Sequence, residues 1–435
     1  MTQNVTVIGA GLAGCEAAWQ LAKRGIAVTL CEMKPEKRSP AHVSGDFAEL
    51  VCSNSLRSDE LTNAVGLLKE ELRVCGSLIM SSADANKVGA GGALAVDRVG
   101  FARTITEAIR SEPLITVVPG EVMSIPAGIV IIATGPLTSD GFTPALAELM
   151  PDSFLSFYDA AAPIVTFDSI DMDTAFLASR YDKGDADYIN CPMNREQYET
   201  FVAALTAAEE ADVHGFDDSG VFEGCMPVEV MARRGIDTLR HGPLKPMGII
   251  DPRSGSDRWS YAIVQLRKDD SAGTLYNLVG FQTHLKFPEQ KRVFSMIPGL
   301  QNAEFVRYGV MHRNTYINGP KLLDRRYRLR SEPRIRFAGQ ISGVEGYVES
   351  TASGLLAALE TARELQGAEP LNLPPETALG ALAEYVSTST AKDFQPMNIN
   401  FGIMPGLDRK VRDKRAKNLE ISERALNILR AKLEK

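Results

Sequence analysis

Val5-Thr6-Val7-Ile8 is a short β-branched run that ends directly on Gly9-Ala10-Gly11-Leu12-Ala13-Gly14, and Cys15 to Lys23 then has helical composition. Val28-Thr29-Leu30-Cys31 is the next apolar strand signal, and Glu32 closes it. Nothing else in the 435 residues restricts the fold as strongly. A lone Gly-x-Gly-x-x-Gly is weak, because glycine is common. A preceding strand, a following helix and an acid at the end of the second strand together meet the needs of a dinucleotide site. Gly9 permits the tight turn, Gly11 lets backbone approach a pyrophosphate, and Gly14 lets helix and strand pack closely. The helix N-terminus offers unpaired N–H groups and a positive dipole end to phosphate. Glu32 is placed to accept hydrogen bonds from the adenosine ribose. The competing reading is a glycine turn in an ordinary α/β protein.

Two further buried-strand signals suit the same sheet. Ile129-Val130-Ile131-Ile132 runs into Ala133-Thr134-Gly135-Pro136. Ile335-Arg336-Phe337-Ala338 runs into Gly339-Gln340 and the glycine-spaced stretch from Gly343 to Gly354. Both resemble the second and third cofactor contacts of the glutathione-reductase-like FAD fold, which adds Gly135, Gly339 and Gln340 to the cofactor candidates. Gln340 departs from the aspartate usual after that glycine. Gly89-Ala90-Gly91-Gly92 lacks a preceding strand signal and the right spacing, so no second dinucleotide domain is expected. A reductant, NADPH or NADH, then has to visit the flavin transiently. The expected class is α/β: an FAD-binding Rossmann domain split by an inserted α+β domain. The expected division is 1–165 for the first part, 166–301 for an inserted substrate domain, and 302–435 for the second part with a basic C-terminal region. A charged helix is expected from about Glu420.

Composition bounds the setting. Hydrophobic residues make up 44% and charged residues 23%, ordinary values for a globular protein with a core of its own. Six scattered cysteines, without a Cys-x-x-Cys pair or a histidine cluster at ligand spacing, argue against a metal site and against a secreted disulfide framework. A reducing cytoplasm is the expected compartment. No basic leader precedes the first apolar run, and no apolar stretch approaches the roughly 20 residues that cross a bilayer. The net charge of −8 disfavours indiscriminate binding to nucleic acid but leaves room for a local basic surface.

Cys15, Cys31, Cys75 and Cys191 read as small buried hydrophobes. Two others do not. Cys52 opens the polar turn Cys52-Ser53-Asn54-Ser55-Leu56-Arg57. Cys225 lies in Glu223-Gly224-Cys225-Met226-Pro227-Val228-Glu229, where Pro227 suits a first helical position and puts the thiol just ahead of a helix. That location favours the nucleophilic thiolate.

The remaining motifs are more specific. They include Pro40-Ala41-His42, Phe47 to Leu56, Thr62 to Leu68, Gly91 to Arg98, Ala133 to Ser139, Asn190-Cys191-Pro192-Met193 and the Cys225 segment. Later in the chain come Gly280-Phe281-Gln282-Thr283, Tyr308 to Tyr316, and Gly343-Val344-Glu345-Gly346-Tyr347. In this order, and over nearly the whole chain, they resemble the bacterial folate- and FAD-dependent tRNA uracil-5-methyltransferases. The resemblance implies conversion of a uridine in the tRNA T-loop to 5-methyluridine. The carbon would come from 5,10-methylenetetrahydrofolate and the electrons from reduced FAD. Carbon 5 of uracil is a poor nucleophile until a thiolate adds at carbon 6. Cys225 and Cys52 match the two catalytic cysteines of that family; Cys225 is the first choice for the thiolate, although the two roles can be exchanged. His312, in Met311-His312-Arg313-Asn314, is either a stacking partner for the folate pterin or a structural histidine.

Lys321 to Arg336 and Asp408 to Lys417 are rich in basic residues. Arg325, Arg326, Lys410, Arg412, Lys414 and Arg415 are therefore candidates for tRNA phosphate contacts, with Tyr327 a possible stacking group. The alternative is a pair of solvated faces. The rival functions are the same chemistry on ribosomal RNA, the longer wobble-uridine flavoprotein, a small-molecule flavin oxidoreductase, and a non-catalytic RNA-binding protein.

Overall fold

The structure, a computed structural model, describes residues 4–150, 154–182, 185–211, 226–253, 259–390 and 394–434; of 154–160, 182, 312 and 313 it describes the backbone alone. Its organising element is a five-stranded parallel sheet in the order Ile335–Phe337, Ile129–Ile132, Asn4–Ile8, Ala27–Glu32, Ile115–Pro119. Inner strands of a parallel sheet are covered on both faces, so they read as apolar runs rather than alternating ones. Val5, Val7, Val130, Ile131 and Ile132 are all fully buried. Strand order reverses between Asn4–Ile8 and Ile129–Ile132. A crevice at the carboxyl ends of such strands is where an open α/β sheet binds ligands.

The helix Leu12–Ala22 begins immediately after the glycine turn and packs along Tyr347–Leu365. Their approach depends on Gly354, where a Cβ would lie 2.2 Å from the carbonyl oxygen of Ala13. The glycine-spaced stretch is thus the entry and first turns of a helix.

A second sheet has six antiparallel-paired strands in the order Phe176–Ala178, Tyr188–Met193, Ala262–Lys268, Leu275–Leu278, Ile164–Thr166, Phe305–Arg307. Tyr198, Phe201 and Leu205 on the helix Arg195–Thr206 pack into its core with Phe281 and Phe294. A two-stranded ribbon, Phe154–Ala160 with Met311–Ile317, links this region to the first sheet. One apolar core runs from Val5 to Met150 and resumes from Ile317 to Leu429; another lies between Ala162 and Ala303. We propose that the second core is the inserted domain and that the first is the domain it interrupts.

Some expectations need correction. A two-residue strand, Lys87–Val88, does precede Gly89-Ala90-Gly91-Gly92, but these glycines lead into the antiparallel strand Ala93–Val96 and not into a helix. The charged C-terminal helix spans Lys414–Leu433 and starts before Glu420, because the Asp413 carboxylate accepts from Ala416 N at 2.7 Å and caps it. Tyr327 is 2% exposed, so it is a core residue and offers no stacking face.

Candidate active site

The crevice at the strand-order reversal is a cleft of about 1160 Å3, including its open mouth. Gly9, Gly11, Leu12, Ala13, Glu32, Gly135, Gly339 and Gln340 all line it. Four separate segments therefore meet in one place, three just after a strand of the parallel sheet and the fourth, Glu32, at the end of one. A Cβ on Gly14 would stand 1.8 Å from the carbonyl oxygen of Gly9, so the turn and the helix can close only around glycine. A Cβ on Gly11 would meet no protein atom, which leaves the approach to the helix N-terminus open. No side chain caps that helix. The first-turn N–H groups thus point where a pyrophosphate would lie.

Glu32 is 6% exposed, and its two oxygens accept from Ala10 N at 2.7 Å and Lys34 N at 2.9 Å. The carboxylate locks the turn and keeps lone pairs for ribose hydroxyls. Gly339 N donates to Ser353 Oγ at 2.7 Å, and Gln340 Nε2 donates to Glu345 Oε2 at 2.6 Å. Gln340 is thereby held by its own loop. These residues fit FAD: the open glycine, the uncapped helix and the buried acid are the donors and acceptors an adenine dinucleotide needs.

Beside the cleft lies the turn carrying Cys52. Val51 and Tyr347 line the cleft, and the Tyr347 hydroxyl accepts from Cys52 N at 2.7 Å and from Ser53 N at 3.3 Å. Burial, then the neighbouring Cys52, pushes the Tyr347 phenol far above its ordinary pKa, so it stays protonated. Three arginines hold the same turn. Arg98 donates to the Leu50 carbonyl and pairs with Asp269 through contacts of 2.8 and 3.1 Å. Arg307 donates to the Val51 carbonyl at 2.5 Å. Arg267 reaches Ser53 Oγ at 2.8 Å and Asn54 Oδ1 at 3.1 Å. Burial opposes all three charges. Only on Arg98 does the carboxylate outweigh it and raise the pKa, whereas Arg267 and Arg307 are lowered. The turn is not purely a surface feature, since Asn54 is fully buried.

Cys225 lies outside the described residues. The helix after it is Val228–Arg233, with Pro227 as its cap and not its first helical residue. His312 sits in the Met311–Ile317 strand opposite Asp159, and its side chain is not described. Cys15, Cys75 and Cys191 are buried, and burial raises each thiol pKa. Cys31 is half-buried and lines the cleft, so it is not simply a core residue. Arg325 pairs with Glu384 at 2.8 Å and donates to the Leu373 carbonyl at 3.0 Å. Arg326 is half-buried, its backbone N held by Asp324 Oδ1 at 2.9 Å. By contrast Lys410, Arg412, Lys414 and Arg415 are all exposed, Arg415 lying 3.9 Å from Glu60. Among the described residues no group of side chains is arranged to hold a metal. No helix among them is long and apolar enough to cross a membrane.

The sequence model of the family described as "Glucose inhibited division protein A" matches residues 4–369. A methylenetetrahydrofolate–tRNA-(uracil-5-)-methyltransferase of Acetivibrio thermocellus is 61% identical over 99% of this chain and 98% of its own length. Its namesake from Brevibacillus brevis is 58% identical over 98% and 97%. The chain belongs to this methyltransferase family. Among solved structures, Aquifex aeolicus GidA superposes with a TM-score of 0.71 at 14% identity, covering all of this chain and 73% of that one, which establishes the shared fold.

Membership in the family gives the cleft a context that the residue spacings alone lacked. Tyr347 could have been singled out, because it closes the Gly343-Val344-Glu345-Gly346-Tyr347 motif. Arg98 likewise closes Gly91 to Arg98. Arg267 and Arg307 had no such signal. Arg267 stands beside Lys268 at the polar end of the strand Ala262–Lys268, and nothing in the sequence marks it.

Proposed function

We infer that the protein is a folate- and FAD-dependent methyltransferase acting on carbon 5 of a uridine in tRNA. Its carbon donor is 5,10-methylenetetrahydrofolate and its reductant is reduced FAD. The observation that carries this reading is a dinucleotide cradle opening onto the Cys52 turn, in a chain 61% identical to a methyltransferase named for that reaction.

On this reading Gly9 to Gly14 and the first turn of Leu12–Ala22 bind the pyrophosphate, Glu32 the ribose, and Gly135, Gly339 and Gln340 flank the flavin end. FAD, when bound, supplies the electrons that complete a methyl group from a methylene carbon. Cys225 adds as thiolate to carbon 6 of the uracil, which makes carbon 5 nucleophilic, and departs when the carbon 5 proton is removed. Cys52, held beside the cleft, assists carbon transfer and that proton's removal. His312 stacks on the pterin.

The uridine is in the T-loop, and Lys410, Arg412, Lys414 and Arg415 contact phosphates. What supports that surface is its energetics. Lys414 and Arg415 open the helix Lys414–Leu433, whose first turn has no acidic residue, so they oppose the helix dipole. Cations placed there do not serve the helix, but they suit a polyanion. Arg325 and Arg326 are kept as weaker phosphate contacts. NADPH or NADH reduces the flavin, and the protein works in the cytoplasm.

The test is incubation of the FAD-loaded protein with unmodified tRNA transcript, methylenetetrahydrofolate and NADPH, followed by nucleoside analysis. Folate-dependent 5-methyluridine is the expected product. A flavin-loaded protein that makes none on tRNA, but does on ribosomal RNA fragments, would replace the substrate and keep the chemistry.

A further inference from the structure

Arg267 is only 7% exposed, and no carboxylate lies within 4.0 Å of it among the described residues, the neighbouring Asp269 being engaged by Arg98. A buried guanidinium without a carboxylate is expensive, and a stable core is better served by an apolar side chain in its place. Asp269 attracts it from a distance and Tyr188, its register partner on the adjacent strand, offers a side-chain hydrogen bond, but its remaining contacts go to the Cys52 turn. Nη2 donates to Ser53 Oγ at 2.8 Å and Nε to Asn54 Oδ1 at 3.1 Å, the two residues that follow Cys52.

Asn54 carries the hold further. Its Nδ2 donates to Val96 O at 2.9 Å in the first region and to Lys268 O at 2.7 Å on Arg267's own strand. With its oxygen taken by Arg267, the amide is engaged at both ends and has one orientation. Tyr347 holds the Cys52 and Ser53 N–H groups, and on the other side of Cys52 Arg307 holds the Val51 carbonyl. The backbone around the thiol is thus gripped from both sides, Arg307 and Arg267 each reaching it from the second sheet.

We propose that Arg267 is a positioning residue for Cys52: from the strand Ala262–Lys268 its forked guanidinium fixes Ser53 and Asn54 and so aims the Cys52 thiol at the flavin cleft. The proposal rests on the functional reading above for the role of Cys52. A lysine at this position would keep the charge but meet one acceptor at a time, because it lacks the fixed spacing of two donors.

The experiment compares wild type with Arg267→Lys, Arg267→Met and Ser53→Ala, each loaded with FAD and corrected for flavin content. Misplacing a reacting group by about 1 Å costs roughly 100-fold, so Arg267→Met should lower kcat by about that factor. KM for tRNA and folate should stay within about twofold, since Arg267 is buried and its hydrogen bonds to the turn go to Ser53 and Asn54. Arg267→Lys should recover roughly tenfold of the loss, and Ser53→Ala, which removes one acceptor and no charge, should lose roughly fivefold.

A second readout does not depend on methylation. Iodoacetamide modification of Cys52, followed by peptide mass analysis, should change in rate by about fivefold or more in Arg267→Met, relative to wild type at the same pH. Unchanged kcat and unchanged Cys52 modification in the variants would overturn the proposal. So would a kcat loss wholly accounted for by lost flavin or lost folding, or a rise in KM at constant kcat. If wild type makes no 5-methyluridine while Cys52 modification still responds to Arg267, the functional reading fails and the positioning role stands.

Discussion

At the scale of single residues, Gly14 shows how packing and ligand binding share one atom's worth of space. In an open helix, replacing glycine by alanine stabilises by about 1 kcal/mol. Here the new Cβ would meet the Gly9 carbonyl at 1.8 Å, so the turn has to move. We expect Gly14→Ala to purify with most of its FAD missing, read from flavin absorbance per protein. Full flavin content in that variant would show the turn to be more pliant than the packing implies. Glu71 makes a different prediction. It is fully buried and accepts from Ala378 N and Leu379 N, both at 2.8 Å, and burial raises its pKa from 4.5 to about 7. The folded state therefore binds this proton more tightly than the unfolded state. Its contribution is fully present below pH 4.5 and is lost as pH rises through about 7, on the order of 3 kcal/mol in all. Urea unfolding of Glu71→Gln across that window should show a flatter pH profile than wild type. A constant difference between the two proteins would sink the assignment.

At the scale of elements, the basic start of the Lys414–Leu433 helix is set apart from the Arg325 region by looser pairing: Arg415 lies 3.9 Å from Glu60, whereas Arg325 meets Glu384 at 2.8 Å. Replacing Lys410, Arg412, Lys414 and Arg415 with alanine should weaken tRNA binding and reduce the slope of log affinity against log salt by roughly 3. Arg325→Ala should change that slope much less, because Glu384 already holds the side chain. Equal slopes for wild type and the fourfold variant would make the helix start a solvated face. Four of the five parallel strands were legible because each is a short apolar run, three leading into glycine and one ending on Glu32, a signal confined to a few neighbouring residues; the edge strand Ile115–Pro119 was not read from the sequence. The last helix was not legible at its start. Lys414 to Glu420 is polar nearly throughout, apolar periodicity begins only near Ile421, and the Asp413 cap had no motif to announce it. The grip on Cys52 was still harder to read. Arg267 and Asn54 are 213 residues apart, and only the folded chain brings them together.

At the scale of the whole molecule, the two apolar cores are joined by polar contacts. Gly91 N donates to Asp187 Oδ2 at 2.8 Å, and Ser271 meets Asp97 Oδ2 through its N–H at 3.0 Å and its hydroxyl at 2.6 Å. Every residue lining the cleft lies in the two stretches of the first core, so FAD bound there should act on that core first. At a free concentration about 1,000 times its Kd it should stabilise that core by about 4 kcal/mol. Calorimetry of apo and loaded protein should therefore show the first core's melting rise by several degrees, with the second following only as far as the polar seam couples them. Identical thermograms would mean that the cradle does not hold the cofactor.

The interleaving of the parallel sheet also sets a timetable for synthesis. Its edge strand Ile335–Phe337 pairs with Ile129–Ile132, and Gly339 follows directly after it. A ribosome delivers chain from the N-terminus, so the nucleotide cradle cannot be finished until the whole intervening segment has emerged. During that interval the nascent sheet carries an unpaired edge at Ile129–Ile132, the kind of edge that invites wrong partners. The second core, continuous in sequence between Ala162 and Ala303, can close while the first waits. Capture of FAD is then one of the last events in the making of the protein, and a truncated chain ending before Gly339 should emerge colourless.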